Sequence, residues 1–279
     1  MKLTRFIKDK VFIKRTGFAV IAIPILAALV WLGNPWFAIF AVVWGICTGW
    51  EFYHIVRNGT GIRPLTYIGL TGILLFIINP YFKIIPNIDG VAPVSLLLAV
   101  LVIIPLAALL GRRNKENAFA AWGWTVSGVL YIGLLLSFYV ELRNMENGMG
   151  WVYLAILVTF ASDISAYLVG RMWGRHKLAP YVSPKNTWEG AVGAVFGAVI
   201  ISLVIKFFFM PYISAAHAVL LGILISVIGQ LGDLVKSLFK RNMTIKDSGK
   251  IFPGHGGFLD RTDSIAFAGA LVYFFVLFA

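Results

Sequence analysis

Residues 232–263 read GDLVKSLFKRNMTIKDSGKIFPGHGGFLDRTD. Four carboxylates (Asp233, Asp247, Asp260, Asp263) and six cations (Lys236, Lys240, Arg241, Lys246, Lys250, Arg261) crowd into this stretch, with His255 among them. Apolar runs bound it on both sides, residues 217–231 before and 264–279 after. Charge at this density between two hydrophobic helices is costly in a bilayer, and where it persists it marks function. The segment therefore reads as the active site of a membrane enzyme, set between two membrane-crossing helices.

Working outward, the 279-residue chain is 59% hydrophobic and has a mean hydropathy of +0.86. Those values exclude an ordinary soluble domain. The apolar runs approach the ~20 residues a helix needs to cross a bilayer. They are continuous and lack period-two alternation, which selects helices over a β-barrel. The expected fold is all-α: a polytopic integral membrane protein with nine spans, near 17–33, 35–56, 64–80, 91–111, 119–140, 151–170, 190–210, 217–239 and 262–279. Assigning the loops alternately to two sides puts 21 of the 24 Lys and Arg on one side. Only Lys83, Arg143 and Lys206 fall on the other. The positive-inside rule makes the rich side cytoplasmic, and the N-terminus with it.

The net charge of +12 is thus gathered in loops beside a membrane, so lipid and not nucleic acid is the expected partner. Residues 1–16 carry Lys2, Arg5, Lys8, Lys10, Lys14 and Arg15 beside a stripe of Leu3, Phe6, Ile7 and Val11. That pattern predicts an amphipathic interfacial helix leading into a retained anchor. The single cysteine, Cys47, lies inside an apolar run as a small buried side chain.

The halves differ. Spans within 1–150 are nearly free of ionisable groups, Glu51 being the main exception, and read as scaffold; residues 151–279 read as the catalytic region. Asp233, Lys236 and Lys240 share a helical face, as do Asp260 and Asp263. An ion pair with snorkelling lysines accounts for the first set, and helix N-terminal capping for one acid of the second. Two acids there, with Asp233 across a helical hairpin, point further, to a hard cation such as Mg²⁺ held by carboxylates, phosphates and water. Glycines 249, 254, 256 and 257 around His255 allow backbone N–H groups to approach phosphate. A second polar cluster comprises Asp163 with Ser162 and Ser165, then Lys185, Thr187 and Glu189. It reads either as part of the site or as an interhelical hydrogen-bonding knot followed by a turn and a capped helix start. The small pair Gly193 and Gly197 marks close helix packing.

The order and spacing of Ser237-Leu-Phe-Lys240-Arg241, Lys246-Asp247-Ser248-Gly249-Lys250, Pro253-Gly254-His255-Gly256-Gly257, Asp260-Arg261 and Asp263 resemble the signature of the phosphatidate cytidylyltransferases. Ser183–Gly190 and Asp163 with Ala166-Tyr167 and Gly170 resemble the same family, so the likeness covers roughly residues 150–275. The resemblance implies transfer of CMP from CTP to phosphatidate by a homodimer, and the loop charges set the site facing the cytoplasm from the cytoplasmic (inner) membrane. It also implies Mg²⁺ and a monovalent ion such as K⁺. Carried over by position, Asp233, Asp260 and Asp263 are the metal residues. Lys240, Arg241, Lys246, Asp247, Lys250 and His255 are the catalytic residues, of which the four cations and His255 handle the phosphates. Asp163, Lys185, Thr187, Glu189, Ser248, Gly256, Gly257 and Arg261 bind substrate.

The chemistry suits these residue types independently. Phosphatidate is already an anionic nucleophile, so the task is positioning and stabilising charge on a pyrophosphate leaving group. Two rivals stay open at the level of sequence. One is another enzyme acting on CTP or lipid phosphates, such as a polyprenol kinase or CDP-archaeol synthase; the other is an ion or phosphate-ester transporter using Asp163 and Asp233.

Overall fold

The computed structural model describes residues 24–82, 91–112, 115–245, 248–249 and 256–279. The expected N-terminal amphipathic helix lies outside them. So do Lys246, Asp247, Lys250 and His255.

The regular structure of the described residues is helical apart from one small hairpin and an isolated bridge at Gly256. In order come α1 (24–32), α2 (Trp36–Thr60), α3 (Thr66–Phe82), α4 (Val91–Leu110), α5 (Ala118–Gly128), α6 (Leu135–Asn144) and α7 (Gly148–Trp173). Strands β1 (Lys177–Ala179) and β2 (Ser183–Thr187) follow, then α8 (Trp188–Phe209), α9 (Ala215–Asn242) and α10 (Leu259–Phe278). A π-helical segment, Val129–Leu134, joins α5 to α6, so that 118–144 is helical throughout.

Seven described helices are long and apolar enough to cross a membrane, and Thr66–Tyr81 is a shorter apolar helix. A helix satisfies its own backbone polar groups, which is what lets such segments sit in hydrocarbon. α4 shows the consequence plainly: Leu96, Val102, Ile103, Ile104 and Leu110 are all exposed, as suits side chains that face lipid.

By compactness the chain divides into Met1–Gly133 with Ile245–Arg261, and Leu134–Thr244 with Thr262–Ala279. This division falls elsewhere than the scaffold and catalytic division at 150/151. In the first unit the buried Tyr53 phenol donates to the Thr125 carbonyl at 2.8 Å, and the Thr125 hydroxyl accepts from Leu65 N–H at 2.9 Å. One α2 tyrosine and one α5 threonine thereby tie three segments. α2 ends at Gly61, whose left-handed backbone (φ 72°) returns its N–H to the Arg57 carbonyl.

In the second unit α7, α8 and α9 pack side by side. Gly193 lies against Val169 and Gly197 against Ser165, so a Cβ at either position would collide with α7. The two glycines do mark a close helix contact, as their spacing predicts. Thr187 caps α8 by accepting from Gly190 N–H at 3.2 Å, and Ser214 caps α9 by accepting from His217 N–H at 3.1 Å. Tyr139 donates to the Ile265 carbonyl at 2.8 Å, fixing α10 against α6.

Candidate active site

Asp233 and Lys236 stand one turn apart near the end of α9, and Asp263 lies in the second turn of α10. The Lys236 ammonium is 3.0 Å from Asp233 Oδ1 and 2.5 Å from Asp263 Oδ2. Asn186 of β2 donates from its side-chain amide to Asp233 Oδ2 at 3.0 Å. The exposures grade across the set: Asp263 5%, Lys236 12%, Asp233 34%. One carboxylate is thus enclosed and the other reaches outward. Sequence spacing predicted the Asp233–Lys236 contact but assigned the lysine to a snorkelling role. The structure instead makes Lys236 the buried link between the two acids. Asn186 was not expected either; the only signal for it is its place between Lys185 and Thr187.

Of the turn and helix start that are one reading of residues 183–190, the helix start is present, with Thr187 as its cap, while residues 183–187 form a hairpin strand that brings Asn186 in. β1 and β2 pair antiparallel, Lys177 opposite Thr187 and Ala179 opposite Ser183. Glu189, in the first turn of α8, holds the hairpin's base. Its carboxylate accepts from Arg175 N–H at 3.1 Å, from His176 N–H at 3.2 Å and from the His176 ring at 2.6 Å. Arg241 donates to the Val182 carbonyl at 3.2 Å, tying the hairpin turn to the end of α9. Thr187 is buried as the α8 cap, whereas Lys185 is exposed. Thr187 and Glu189 therefore build the hairpin's frame. Lys185 is the group of this stretch that stands out into solvent.

Asp163 lies on an exposed face of α7. The interhelical knot is made beside it: Ser162 and Ser226 share a hydrogen bond of 2.8 Å, and Gln230 donates to Ser226 at 3.1 Å.

In the other unit, the glycine-rich segment is gripped by two carboxylates. Asp260 Oδ2 accepts from Ser248 N–H at 3.0 Å, from the Ser248 hydroxyl at 2.8 Å and from Gly257 N–H at 3.3 Å. Glu51 Oε2, from α2, accepts from Leu259 N–H at 2.9 Å and from the Ser248 hydroxyl at 3.3 Å. Glu51 is 8% exposed, and a Cβ at Gly249 or Gly257 would run into its carboxylate. Gly256 has φ +82°, and its open side faces Asp260. Here glycine is required by close approach to an acid as much as by any ligand. Glu51 was legible only as an odd acid in the scaffold, since its partners lie some 200 residues on. Arg261 is exposed.

Among the described residues no group of three or more His, Cys, Asp or Glu is arranged to hold a metal. Two carboxylates nevertheless converge on one cation in the second unit, Lys236. A pair of oxygens that shares an ammonium fits a hard cation as well, because such ions take one or two carboxylates and complete their shell with phosphate and water. Asp260, of the other unit, accepts three hydrogen bonds within the loop at its Oδ2.

Comparison with known proteins gives a consistent result. Residues 13–279 match the pattern of the cytidylyltransferase family. The chain is 32% identical over 260 residues to the phosphatidate cytidylyltransferase of Bacillus subtilis (strain 168), covering 90% of this chain and 94% of that protein. It is also 32% identical over 255 residues to the phosphatidate cytidylyltransferase of Staphylococcus haemolyticus, covering 91% and 94%. The enzyme of the same name from Staphylococcus epidermidis (strain ATCC 12228) is 38% identical over 154 residues, 55% of this chain and 58% of that one.

Proposed function

The chain belongs to the cytidylyltransferase family, and from that premise we propose that it transfers CMP from CTP to phosphatidate, leaving CDP-diacylglycerol in the membrane and releasing pyrophosphate. It is a membrane-embedded nucleotidyltransferase of phospholipid synthesis. The observation that carries the reading is the convergence of Asp233 and Asp263 on one buried cation in a chain matched to the family almost end to end.

A phosphatidate oxygen attacks the α-phosphorus of CTP; that P–O bond forms as the bond to the β-phosphate bridge breaks, and pyrophosphate leaves with the electron pair. Phosphatidate needs no strong general base, so the protein's work is to align two anions and offset their charge. Asp233 and Asp263 are the residues that would hold Mg²⁺. Bound there, the ion would polarise the phosphoryl oxygens and neutralise charge on the leaving group. Asn186 orients Asp233, and the enclosed position of Asp263 keeps water from competing for its oxygens. Exposed Lys185 and Arg241 offer cations to the nucleotide, and Lys240, Lys246, Lys250 and His255 are assigned to the phosphates by their places in the family motif. Asp260 and Glu51 hold the glycine-rich segment, where Ser248, Gly256 and Gly257 lie. The charge distribution of the loops supports nine spans, a cytoplasmic N-terminus and a site facing the cytoplasm of a bacterial inner membrane. A homodimer and a K⁺ requirement complete the proposal on the strength of the family resemblance.

The test is product identity. Purified protein supplied with CTP, Mg²⁺ and dioleoyl-phosphatidate yields CDP-diacylglycerol and pyrophosphate in equal amounts. Phosphorylated polyprenol from a polyprenol acceptor, or flux without any covalent product, would replace this reading with one of its rivals.

A further inference from the structure

One ammonium joins the two acids to which the metal is assigned above. Lys236 is tethered one helical turn from Asp233, and its Nζ sits 3.0 Å and 2.5 Å from oxygens supplied by two different helices. Two of the three groups are enclosed, Lys236 being 12% and Asp263 5% exposed, while Asp233 at 34% reaches outward. A carboxylate pair has two negative charges to offset. A divalent ion alone balances them, whereas the ion together with an ammonium at the same oxygens leaves an excess positive charge in a poorly solvated place, where like charges repel strongly.

We propose that Lys236 is a built-in counter-cation: it holds Asp233 and Asp263 together in the metal-free protein, leaves them when a divalent ion binds, and thereby sets the enzyme's affinity for that ion. The inference rests on the assignment of Asp233 and Asp263 as metal residues. It gives the lysine two consequences. The metal-free site stays assembled without a bound ion, since the buried Asp263 and the outward-reaching Asp233 share a partner. Divalent ions bind more weakly than the bare carboxylate pair would allow, because each must displace an ammonium that is covalently attached nearby. The lysine's long, flexible stem permits the exchange without moving α9.

The measurement is Mn²⁺ binding to the purified, EDTA-treated full-length protein in detergent, followed by electron paramagnetic resonance without substrates. Wild type, Lys236→Met, Asp263→Asn and the Lys236→Met/Asp263→Asn double variant are compared. Lys236→Met is expected to bind Mn²⁺ roughly tenfold more tightly or better, because a like charge has been removed from beside the ion. The added Asp263→Asn change should abolish that gain. Mn²⁺ should also raise the melting temperature of Lys236→Met more than that of wild type. If Lys236→Met does not fold, Lys236→Gln, which keeps a donor for the carboxylates, is held to the same criterion. Unchanged or weaker Mn²⁺ affinity in the folded lysine variant, with Asp263→Asn still impairing binding, overturns the counter-cation while leaving the metal assignment intact. Mn²⁺ binding that ignores Asp263→Asn in both backgrounds, or is absent throughout, overturns the metal assignment and the counter-cation together.

Discussion

Lys236 makes the consequences of losing Asp263 larger than a helix cap would. Replacing Asp263 with Asn strips a buried ammonium of its nearer partner, and breaking such a pair costs about 3 kcal/mol. Thermal or denaturant unfolding of Asp263→Asn should show that loss, and the Lys236→Met/Asp263→Asn double variant should recover most of it, since the one charge of the three that remains, Asp233, is 34% exposed and keeps its hydrogen bond from Asn186. A full-sized recovery separates the structural part of Asp263's role from any chemical part; no loss in the single variant would deny the ion pair its place. Glu51 lends itself to a second comparison. Glu51→Ala leaves the Leu259 N–H without its acceptor and should cost about 1–3 kcal/mol, whereas Glu51→Gln retains an acceptor and should cost clearly less. Equal losses in unfolding measurements would mean that the carboxylate's charge, and not its hydrogen bonds, holds the loop. At this scale the sequence was readable where partners lie within a helical turn, as for Asp233 and Lys236. It was opaque where they come from distant segments, because nothing near Glu51 or Asn186 announces Leu259 or Asp233.

The β1–β2 hairpin shows the same limit one level up. Its residues are polar and its strands short, so no alternating pattern announces them; the hairpin persists because Glu189 of the next helix collects two backbone N–H groups and a histidine at its base. That arrangement separates two residues that the linear motif treats alike. Lys185→Ala removes an exposed cation and should raise the KM for CTP with little change in kcat or stability. Glu189→Ala removes the hairpin's anchor and should lower stability and both substrates' apparent affinities together. Steady-state kinetics with each substrate varied in turn, alongside a melting curve, decide this; a CTP-selective effect from Glu189→Ala would return that carboxylate to direct nucleotide contact. The helices themselves were legible from composition, since uninterrupted apolar runs admit no other bilayer-compatible structure. Their exact ends were less so: helix continues through the π-helical segment to Asn144, past the expected end at 140.

For the whole molecule, the apolar surface and the uneven distribution of Lys and Arg set the protein in a membrane, and the proposed orientation puts residues 241–259 in the cytoplasm. In a Cys47→Ala background, a Lys250→Cys variant should resist an impermeant thiol reagent in intact cells and react after lysis; ready labelling of intact cells would reverse the topology. The central claim, that paired carboxylates on α9 and α10 serve cytidylyl transfer, is tested most directly by measuring CDP-diacylglycerol formation from CTP and phosphatidate across a Mg²⁺ titration. The comparison is between wild type and the stability-restored Lys236→Met/Asp263→Asn double variant, with Lys236→Met alone as the control for loss of the lysine. The account predicts activity in wild type and in Lys236→Met, the latter reaching its maximum at lower Mg²⁺. It predicts at least a ~100-fold loss in the folded double variant, because several kcal/mol of charge stabilisation are removed and each ~1.4 kcal/mol is tenfold. Near-wild-type turnover by the folded double variant at any Mg²⁺ concentration would contradict it.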